Sequence, residues 1–455
     1  MCAFARHMTE RMKTVAAVGA VAAFWLAVWV FVAALVAQPL ILPGPGAVVV
    51  ALLRLVCDAG TWAILAGSGA RILGGLALAA VCGGLLAGIS SRSRAFARLV
   101  APALSFVKAT PVACVVVLLL IWLGSARVSI AAVFLMALPG VYFSLVEGLT
   151  QADKPLEQMF RLHGVRGWRL FCAHIWREVL PFVLSCARAV IGMSWKAGVA
   201  AELIGMAVGT VGERIYQAKL LIETADLLAW TVLVVMASWA CERVLVWLLR
   251  ASGPAAWRAA VLSHGRGLRG RAGAADVAEL ALAVGDRAPW APALDGLVLN
   301  VPAGGRICVM GTSGVGKSTL LALAAGECAP CSMVFQDVRL VEGASALDNV
   351  LVCADARVDA SSAAALLRLL VPGVDVHARV AELSGGQRRR VEIARALLCP
   401  GGAVILDEPF TGLDTAARDA CAEVVLDLLV GRMLLLATHG AVDAQALNIS
   451  DIITL

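Results

Sequence analysis

The residues best suited to chemistry form a glycine-rich loop between two apolar segments. The loop reads Gly311-Thr312-Ser313-Gly314-Val315-Gly316-Lys317-Ser318-Thr319. A strand-like run precedes it at 306–310, and a helical run follows at 320–325. Glycines let backbone N–H groups close around phosphates, and the helix N-terminus adds partial positive charge. We therefore predict a phosphate-binding loop in which Lys317 reaches the β- and γ-phosphates of a nucleotide and Ser318 ligates Mg²⁺.

Two adjacent carboxylates form the second chemical feature. Asp407 and Glu408 end the apolar, strand-like run 404–406. In an open α/β sheet the carboxyl ends of the strands face the ligand crevice. Asp407 is suited to hold Mg²⁺ through water, and Glu408 to polarise an attacking water. Acids commonly end strands at solvent, so the pair is informative because it lies downstream of a phosphate loop.

A second small, anion-binding turn precedes another helical run. It consists of Ser384, Gly385, Gly386 and Gln387. The free N–H groups of a helix that opens this way can hold an anion. One chain has no obvious use for two phosphate-binding turns around one nucleotide, so we predict that this turn completes the site of a second copy. The alternative is a capped helix start, which Ser384 alone would explain.

Composition divides the 455-residue chain into parts that differ in polarity. The chain is 60% hydrophobic and 15% charged, with a net charge of +6 and a mean hydropathy of +0.86. Such a chain cannot be wholly soluble. The apolar excess predicts an all-α membrane domain at 1–250, a basic Ala/Gly-rich linker at 251–275 and an α/β nucleotide-binding domain at 276–455.

Six apolar segments are long enough to span a bilayer. They lie at about 14–37, 72–90, 104–123, 128–149, 182–205 and 227–249. Lys and Arg gather before the first segment and in the loops after the second and fourth, which predicts that both termini are cytoplasmic. The first segment is too long for a signal-peptide core, and no basic-aromatic patch indicates a nucleic acid partner.

Two features of the membrane half each leave two interpretations open. The fifth segment carries Arg188, Lys196 and Glu202, which either line a transport pathway or pair within the helix bundle. The loop at about 150–178 reads as two short amphipathic helices around Gly164. It fits either a groove on a partner domain or the lipid headgroup layer.

The order of motifs in the C-terminal half resembles the nucleotide-binding domain of ABC transporters, over about 276–455. The matching residues are the signature Leu383–Gln387, the Q-loop residue Gln336, the D-loop Gly412-Leu413-Asp414, the switch histidine His439 after Thr438, and Trp290 as the candidate aromatic that stacks on adenine. The resemblance implies a P-loop NTPase fold of ABC type that binds ATP and Mg²⁺. It also implies that ATP lies between the phosphate loop of one domain and the signature of its partner.

Roles for individual residues follow from the same resemblance. Glu408 is expected to be the catalytic carboxylate, and His439 to contact the γ-phosphate. Gln336 is expected to join Ser318 and Asp407 around Mg²⁺. Asp414 belongs to the D-loop.

The membrane half resembles importer permeases of the nitrate, sulfonate and taurine type. The resemblance rests on Leu42-Pro43-Gly44-Pro45, on the loop from Gly164 to Pro181 that would dock on the ATPase, and on Ala201–Gly205. It implies ATP-driven import of a small solute by a fused permease–ATPase in the cell membrane, with the ATPase in the cytoplasm. Partners would be a second copy or a homologous subunit, an extracytoplasmic solute-binding protein and the lipid bilayer. The alternatives are an exporter half-transporter and a membrane-anchored nucleotide-binding regulatory module.

Three positions depart from the family pattern. Gln158-Met159-Phe160 stands where the docking loop usually has Glu-Ala-Ala, and Gly440 where Asp usually follows the switch histidine. Gln336 follows Lys317 by only 19 residues, which predicts a shortened β-subdomain. The pair Cys328 and Cys331 lies in this shortened segment without a second Cys or His pair, so a metal or redox role is disfavoured. Isolated histidines, among them His163, receive no functional role.

Overall fold

The chain divides into two compact units. The computed structural model describes residues 2–263, 279–284, 291–429 and 431–455. One unit contains residues 1–151 and 179–251, and the other contains residues 152–178 and 252–455. Residues 152–178, here called the docking loop, therefore belong to the second unit although they lie within the membrane half of the sequence.

The first half of the chain is helical. Its helices are α1 (Cys2–Val36), α2 (Pro45–Cys57), α3 (Ala59–Ser90), α4 (Arg94–Ala109), α5 (Val112–Leu123), α6 (Ser125–Gln151), α7 (Lys154–Leu162), α8 (Gly167–Leu170), α9 (Trp176–Gly205), α10 (Val211–Leu220) and α11 (Thr224–Leu262). A π-helical turn, Phe171–Ile175, joins α8 to α9. Among the described residues, five segments are long and apolar enough to span a membrane, namely α1, α3, α6, Gly167–Gly205 and α11.

The predicted third span, 104–123, is not one straight helix. The chain bends by 103° between α4 and α5, and the pair counts as a sixth span only if it crosses as a broken helix. Thr110 is extended with ψ 130°, because the ring of Pro111 disfavours a helical conformation in the residue before it. Helix α3 also begins earlier than predicted, because the Asp58 side chain caps it by accepting hydrogen bonds from the N–H groups of Gly60 and Thr61.

Small residues let α3 and α6 approach closely. A Cβ atom on Gly75 would lie 2.5 Å from the carbonyl oxygen of Ile130, and one on Gly83 would lie 2.9 Å from Val141. Small residues at a helix interface allow backbone contact, which compensates for the absence of a hydrophobic driving force in lipid.

Of the three charged residues predicted in the fifth span, Glu202 pairs within the bundle. Its side chain is fully buried, and Arg71 Nε lies 3.2 Å from Glu202 Oε1. The Ser68 hydroxyl donates to Glu202 Oε2 at 2.8 Å. These contacts favour the pairing interpretation for Glu202, because an uncompensated charge in a bilayer is costly. Arg188 and Lys196 are exposed in the single chain.

The second unit is an α/β domain built on a five-stranded parallel sheet. The described strands of the whole unit are β1 (Glu279–Ala283), β2 (Val298–Pro302), β3 (Arg306–Met310), β4 (Ser332–Val334), β5 (Ala403–Asp407), β6 (Met433–Thr438) and β7 (Asp451–Thr454). Its helices are α12 (Lys317–Glu327), α13 (Ala346–Leu351), α14 (Ala360–Leu370), α15 (Gly385–Leu398), α16 (Thr415–Leu429) and α17 (Ala441–Ala446). The parallel sheet has the order β4-β5-β6-β3-β7.

The register of the parallel sheet brings three strand ends together. Strands β5 and β6 are buried at every residue, as expected for central strands covered on both faces. Met310 of β3 pairs with Thr438 of β6, and Ala437 of β6 pairs with Asp407 of β5. The residues that follow β3, β5 and β6 must therefore meet at one edge of the sheet.

The predicted shortening of the β-subdomain is confirmed within the described residues. The antiparallel part contains β1 and β2 only, paired from Glu279 with Pro302 to Ala283 with Val298. Helix α12 ends at Glu327, and β4 begins at Ser332. No further antiparallel strand separates α12 from β4 in this described stretch.

The docking loop forms part of the hydrophobic core of the second unit. Asp153 caps α7 by accepting from the Leu156 N–H, and Gly164, at φ +79°, reverses the chain after the helix. Met159 and Phe160 are fully buried in one cluster with the parallel sheet. The structure therefore shows this apolar face in a protein groove, whereas Trp168 is 73% exposed.

The described part of the predicted linker is helical. Helix α11 continues to Leu262, and its residues from Ser252 onward belong to the second unit. There the Trp257 indole donates to Asp348 Oδ2 at 3.3 Å. The Trp176 indole donates to the Ser252 hydroxyl at 3.0 Å. The functional boundaries at residues 250 and 275 stay predictions.

Candidate functional site

The phosphate loop, residues 311–319, connects β3 to α12 as its sequence order predicts. Gly314 has φ +83° and Gly316 has φ +114°, which are left-handed conformations that favour glycine. A Cβ on Gly316 would also lie 3.2 Å from Leu294. Gly316 is the N-cap of α12, so the first N–H groups of the helix have no intrahelical partner. The loop therefore offers backbone donors and a helix terminus to an anion.

Lys317 lies at the centre of this loop. Its ammonium donates to the carbonyl oxygens of Gly311, at 2.8 Å, and Thr312, at 3.0 Å. The residue is only 5% exposed, so its charge acts in a partly desolvated environment. Ser318, next in the helix, is exposed.

Asp407 ends β5 beside the phosphate loop. The residue is 3% exposed, and its Oδ1 atom has no hydrogen-bond partner within the described structure. Burial raises the pKa of the Asp407 carboxyl above its usual value, and the neighbouring Glu408 carboxylate raises it further. A hydrogen bond with Ser318 and the positive charge of Lys317 oppose these effects. The carboxylate therefore lies in a place where an added positive charge would be stabilising.

Glu408 adopts a left-handed backbone conformation, which is rare for residues other than glycine. Its φ angle is +47°, which costs on the order of 1–3 kcal/mol in a residue other than glycine. The Glu408 N–H donates to the carbonyl of Ala437 at 2.9 Å, which holds the turn against β6. The Glu408 carboxylate lies 2.5 Å from His439 Nε2.

His439 connects the two halves of the site. It follows β6, the strand between β3 and β5. Its Nδ1 atom lies 3.0 Å from the carbonyl oxygen of Gly311 and 3.3 Å from Lys317 Nζ. The structure thus brings Lys317, Glu408 and His439 into one cluster at the carboxyl edge of the sheet.

The signature turn has a local structural role within one chain. Ser384 caps α15 in a reciprocal arrangement with Gln387: Ser384 Oγ accepts from the Gln387 N–H, and Gln387 Oε1 accepts from the Ser384 N–H. The capped-helix interpretation therefore holds for the single chain. Gly386 lies against the D-loop, since a Cβ there would be 3.4 Å from the carbonyl oxygen of Gly412.

Three other predicted residues lie at different places. Gln336 is exposed two residues beyond β4. Asp414 of the D-loop accepts from the Ala417 N–H at 2.7 Å, and so caps the start of α16. Trp290 lies outside the described residues.

Burial of the Cys328–Cys331 pair disfavours the thiolate form of both side chains. Both thiols are buried, and burial raises the pKa of Cys331 to about 12. A reactive thiol needs the opposite shift, because the thiolate is the nucleophile and the metal ligand. Among the described residues, no three His, Cys, Asp or Glu side chains are grouped so that they could hold a metal ion.

A buried ionic cluster on α15 is missing from the sequence predictions. Glu392 is fully buried between Arg389, at 2.9 Å, and Arg395, at 3.3 Å. Arg389 also donates to the backbone carbonyls of Gln336, the Q-loop residue, and of Phe335, which precedes it. The three residues are spaced three apart, and this spacing on a helix is the signal that could have indicated ion pairs between them. A run of arginines, however, usually indicates a solvated helix face.

The fold and this edge of the sheet define a phosphate-loop nucleotide-binding domain of the ABC type. A family model described as "ABC transporter" matches residues 329–411. A model described as "Binding-protein-dependent transport system inner membrane component" matches residues 80–258.

Several curated relatives match the nucleotide-binding part. The taurine import ATP-binding protein of Chromobacterium violaceum is 38% identical over 182 residues, covering 34% of this chain and 68% of the relative. The aliphatic sulfonates import ATP-binding protein of Escherichia coli (strain K12) is 36% identical over 179 residues, covering 34% of this chain and 68% of the relative. For a protein of the same description in Rhizobium johnstonii, identity is 35% over 182 residues, covering 35% of this chain and 66% of the relative.

The chain belongs to the ABC transporter family, as an ATP-binding domain fused to a membrane permease domain. Among solved structures, the ATP-binding cassette MJ0796, in a dimeric post-hydrolysis state bound to ADP and Pi, is 24% identical. The matched region covers 36% of this chain and 86% of the solved chain, with a TM-score of 0.33.

Proposed function

We propose that this chain is a permease–ATPase subunit that imports a small anion at the expense of ATP. The observation that carries the proposal is the cluster of Lys317, Glu408 and His439 at the carboxyl edge of the sheet, beside a glycine loop that opens a helix. A cation, a carboxylate and an imidazole around a phosphate-binding loop are the groups that ATP hydrolysis requires.

The residues of the phosphate loop bind and orient the nucleotide. Backbone N–H groups of residues 311–319 and the α12 terminus hold the phosphates, and Lys317 neutralises charge on the β- and γ-phosphates. Glu408 accepts a proton from the water that attacks the γ-phosphorus. The bond between the γ-phosphorus and its bridging oxygen breaks, and ADP and inorganic phosphate leave. His439 contacts both Glu408 and the loop, so it positions the γ-phosphate relative to the base.

The donor set beside the loop fits Mg²⁺. Asp407 Oδ1 is a buried, unpartnered carboxylate oxygen, and the hydroxyl of Ser318 lies beside the same carboxylate. Mg²⁺ prefers oxygen ligands and commonly takes one or two from protein and the rest from phosphates and water. When bound, the ion neutralises charge on the β- and γ-phosphates. Gln336 is the third residue that we assign to this site.

Two copies of the chain, or one copy and a homologous subunit, are needed for a complete transporter. The turn Ser384–Gln387 opens α15, and because its capping box uses the N–H groups of Ser384 and Gln387, those of Gly385 and Gly386 are the donors that can face an anion. We propose that this turn covers the nucleotide held by the Lys317 loop of the partner, with Asp414 at the same interface.

The permease match and the relatives together favour import. The matched permease model is described as binding-protein-dependent, so we propose an extracytoplasmic solute-binding protein as the partner that delivers the substrate. Relatives described as taurine and aliphatic sulfonate import proteins suggest a small sulfonate as substrate. We place the chain in the cell membrane, with its ATPase domain and both termini in the cytoplasm, because basic residues concentrate on the same side.

The ATPase assignment is tested with full-length protein in lipid vesicles. Glu408→Gln should lower the ATPase rate by about 10²–10⁴-fold, the contribution of a positioned general base. ATP binding should persist, because Lys317 and the loop are unchanged. Glu423→Gln, an exposed carboxylate on α16, is the matched control and should keep the wild-type rate. Equal ATPase rates for Glu408→Gln and wild type would refute the catalytic assignment.

Direction and substrate are tested by uptake. Vesicles that contain the protein and ATP on the ATPase side should accumulate labelled taurine when the cognate binding protein is added outside. Accumulation should fail with Glu408→Gln. Efflux instead of uptake would support the exporter alternative, and ATP hydrolysis with no movement of any sulfonate tested would contradict the substrate class.

A further inference from the structure

The docking loop covers the outer edge of the parallel sheet. Among the described strands, β4 is the terminal strand of the parallel sheet and pairs with β5. Backbone N–H groups alternate between the two edges of a strand, so Cys331 and Met333 present theirs to the same edge. The Cys331 N–H donates to the carbonyl oxygen of Leu162 at 3.0 Å. The Met333 N–H donates to His163 Nε2 at 3.2 Å.

His163 takes part in the second of these bonds through its side chain. The residue is fully buried, and accepting a hydrogen bond at Nε2 requires the tautomer that carries its proton on Nδ1. Its own carbonyl oxygen accepts from the Cys399 thiol at 3.6 Å. The imidazole therefore takes the place of a neighbouring strand at one position of β4, where an unpaired N–H would otherwise be buried.

The docking loop also contacts the chain on the far side of the Q-loop. Arg339 Nη1 donates to the carbonyl oxygen of Pro155 at 3.1 Å. The Arg339 backbone N–H donates to Glu392 Oε1 at 3.2 Å. Segment 333–339 thus contacts the docking loop at both ends, while α15, the helix opened by the signature turn, holds its middle through Arg389.

We propose that His163 is a positioning residue that fixes the register of the docking loop on β4, so that movement of the Q-loop segment is transmitted to α7. This inference rests on the proposed function, because it assigns the route by which nucleotide binding reaches the permease. His163 touches neither nucleotide nor metal in this arrangement. Its contribution is an acceptor placed opposite one buried N–H.

The test compares three full-length proteins in lipid vesicles by hydrogen exchange. His163→Leu fills a similar space without an acceptor, whereas His163→Gln places a carbonyl oxygen near the position of Nε2. In His163→Leu, the Met333 amide should exchange at least about tenfold faster, the effect of losing roughly 1.4 kcal/mol of protection. In His163→Gln its exchange should stay near the wild-type rate.

The second readout is the response of α7 to nucleotide. Adding Mg-ATP to a Glu408→Gln background should change amide exchange in Lys154–Leu162. The change should be lost in His163→Leu and restored in His163→Gln, while binding of a fluorescent ATP analogue stays equal in all three. Equal Met333 exchange in His163→Leu and wild type, or failure of His163→Gln to restore the α7 response, would overturn the proposal.

These outcomes are separate from those of the proposed function. The exchange rate of the Met333 amide needs neither transport nor hydrolysis, so it reports on His163 even if taurine is not the substrate. If His163→Leu does not fold, His163→Gln decides alone: wild-type exchange and nucleotide response support the acceptor role, and their loss contradicts it.

Discussion

Removal of the Glu392 carboxylate should strongly destabilise the second unit. The carboxylate is fully buried and contacts the guanidiniums of Arg389 and Arg395, and it also accepts the Arg339 N–H. Arg389 and Arg395 are themselves 6% and 0% exposed. Glu392→Ala would leave two buried positive charges without their counter-ion.

The expected magnitude follows from this geometry. Breaking a buried ion pair by removing one partner costs about 3–5 kcal/mol, because the remaining charge stays desolvated. Glu392→Gln keeps an acceptor oxygen and the shape of the side chain, and should cost about 1–3 kcal/mol through the loss of charge-assisted hydrogen bonds. The predicted order of stability is therefore wild type, Glu392→Gln, Glu392→Ala.

Buried cysteines provide the assay within the intact protein. Cys353 and Cys399 are buried in the second unit, and their labelling rate in each variant is compared with that in the wild type. A thiol reagent reaches the buried cysteines only when the unit opens, so the labelling rate measures the free energy of opening. A loss of about 3–5 kcal/mol corresponds to roughly 10²- to several 10³-fold faster labelling in Glu392→Ala.

A matched control separates this effect from a general effect of lost charge. Glu423→Ala removes an exposed carboxylate from α16 and should change stability by less than about 0.5 kcal/mol. If Glu392→Ala accelerates labelling of Cys399 by less than about tenfold, equivalent to 1.4 kcal/mol, the buried cluster does not stabilise the unit as described.

Three further changes probe other parts of the second unit. Lys317→Ala should abolish measurable ATP-analogue binding, because it removes the cation held over the phosphate loop; unchanged affinity in a fluorescence titration would contradict this role. Phe160→Ala should destabilise the unit by about 3–5 kcal/mol in the thiol-labelling assay, whereas Trp168→Ala, at an exposed position of the same loop, should be nearly neutral. Burial, with the charges of Arg395 and Arg432, holds the pKa of His163 in the folded protein well below 6.5. The neutral imidazole therefore makes its full contribution to the stability of the unit above pH 6.5, and this contribution is lost as the pH falls toward the folded-state pKa. Thermal unfolding should therefore depend less on pH below about 6.5 in His163→Gln than in wild type, and His377→Gln, at an exposed site, should leave the dependence unchanged.

The nucleotide site could be predicted largely because its signals are local. A glycine loop between a strand and a helix, and acids at the end of an apolar strand, each occupy fewer than ten consecutive residues. In a parallel sheet the strand ends meet at one edge, so Glu408 was expected near Lys317, whereas His439 was expected there from the resemblance to ABC transporters. The contact between His439 and the carbonyl of Gly311 depends on the strand order, with β6 between β3 and β5, and the spacing of the motifs does not specify that order.

The contacts that hold the docking loop could not be predicted in the same way. His163 and Met333 lie 170 positions apart, and the bond between them forms only because the loop covers the free edge of β4. A lone histidine in an amphipathic loop carries no signal of this role. Glu202 was recognised as a costly charge, but its partner Arg71 lies 131 positions away on another helix. The break at Thr110 was missed although Pro111 marks it, because the apolar run continues through the bend.

A cross-link between copies tests most directly whether two chains share each nucleotide site. Two differently tagged full-length chains, one with Ser384→Cys and one with Thr312→Cys, are reconstituted together and oxidised with and without Mg-ATP, in a Glu408→Gln background that holds the nucleotide. Mass spectrometry of the joined peptides separates the engineered pair from native cysteines such as Cys114. An ATP-dependent disulfide is expected between the signature turn of one chain and the phosphate loop of the other. Absence of that intermolecular pair at saturating ATP would contradict a nucleotide site shared by two copies of this chain.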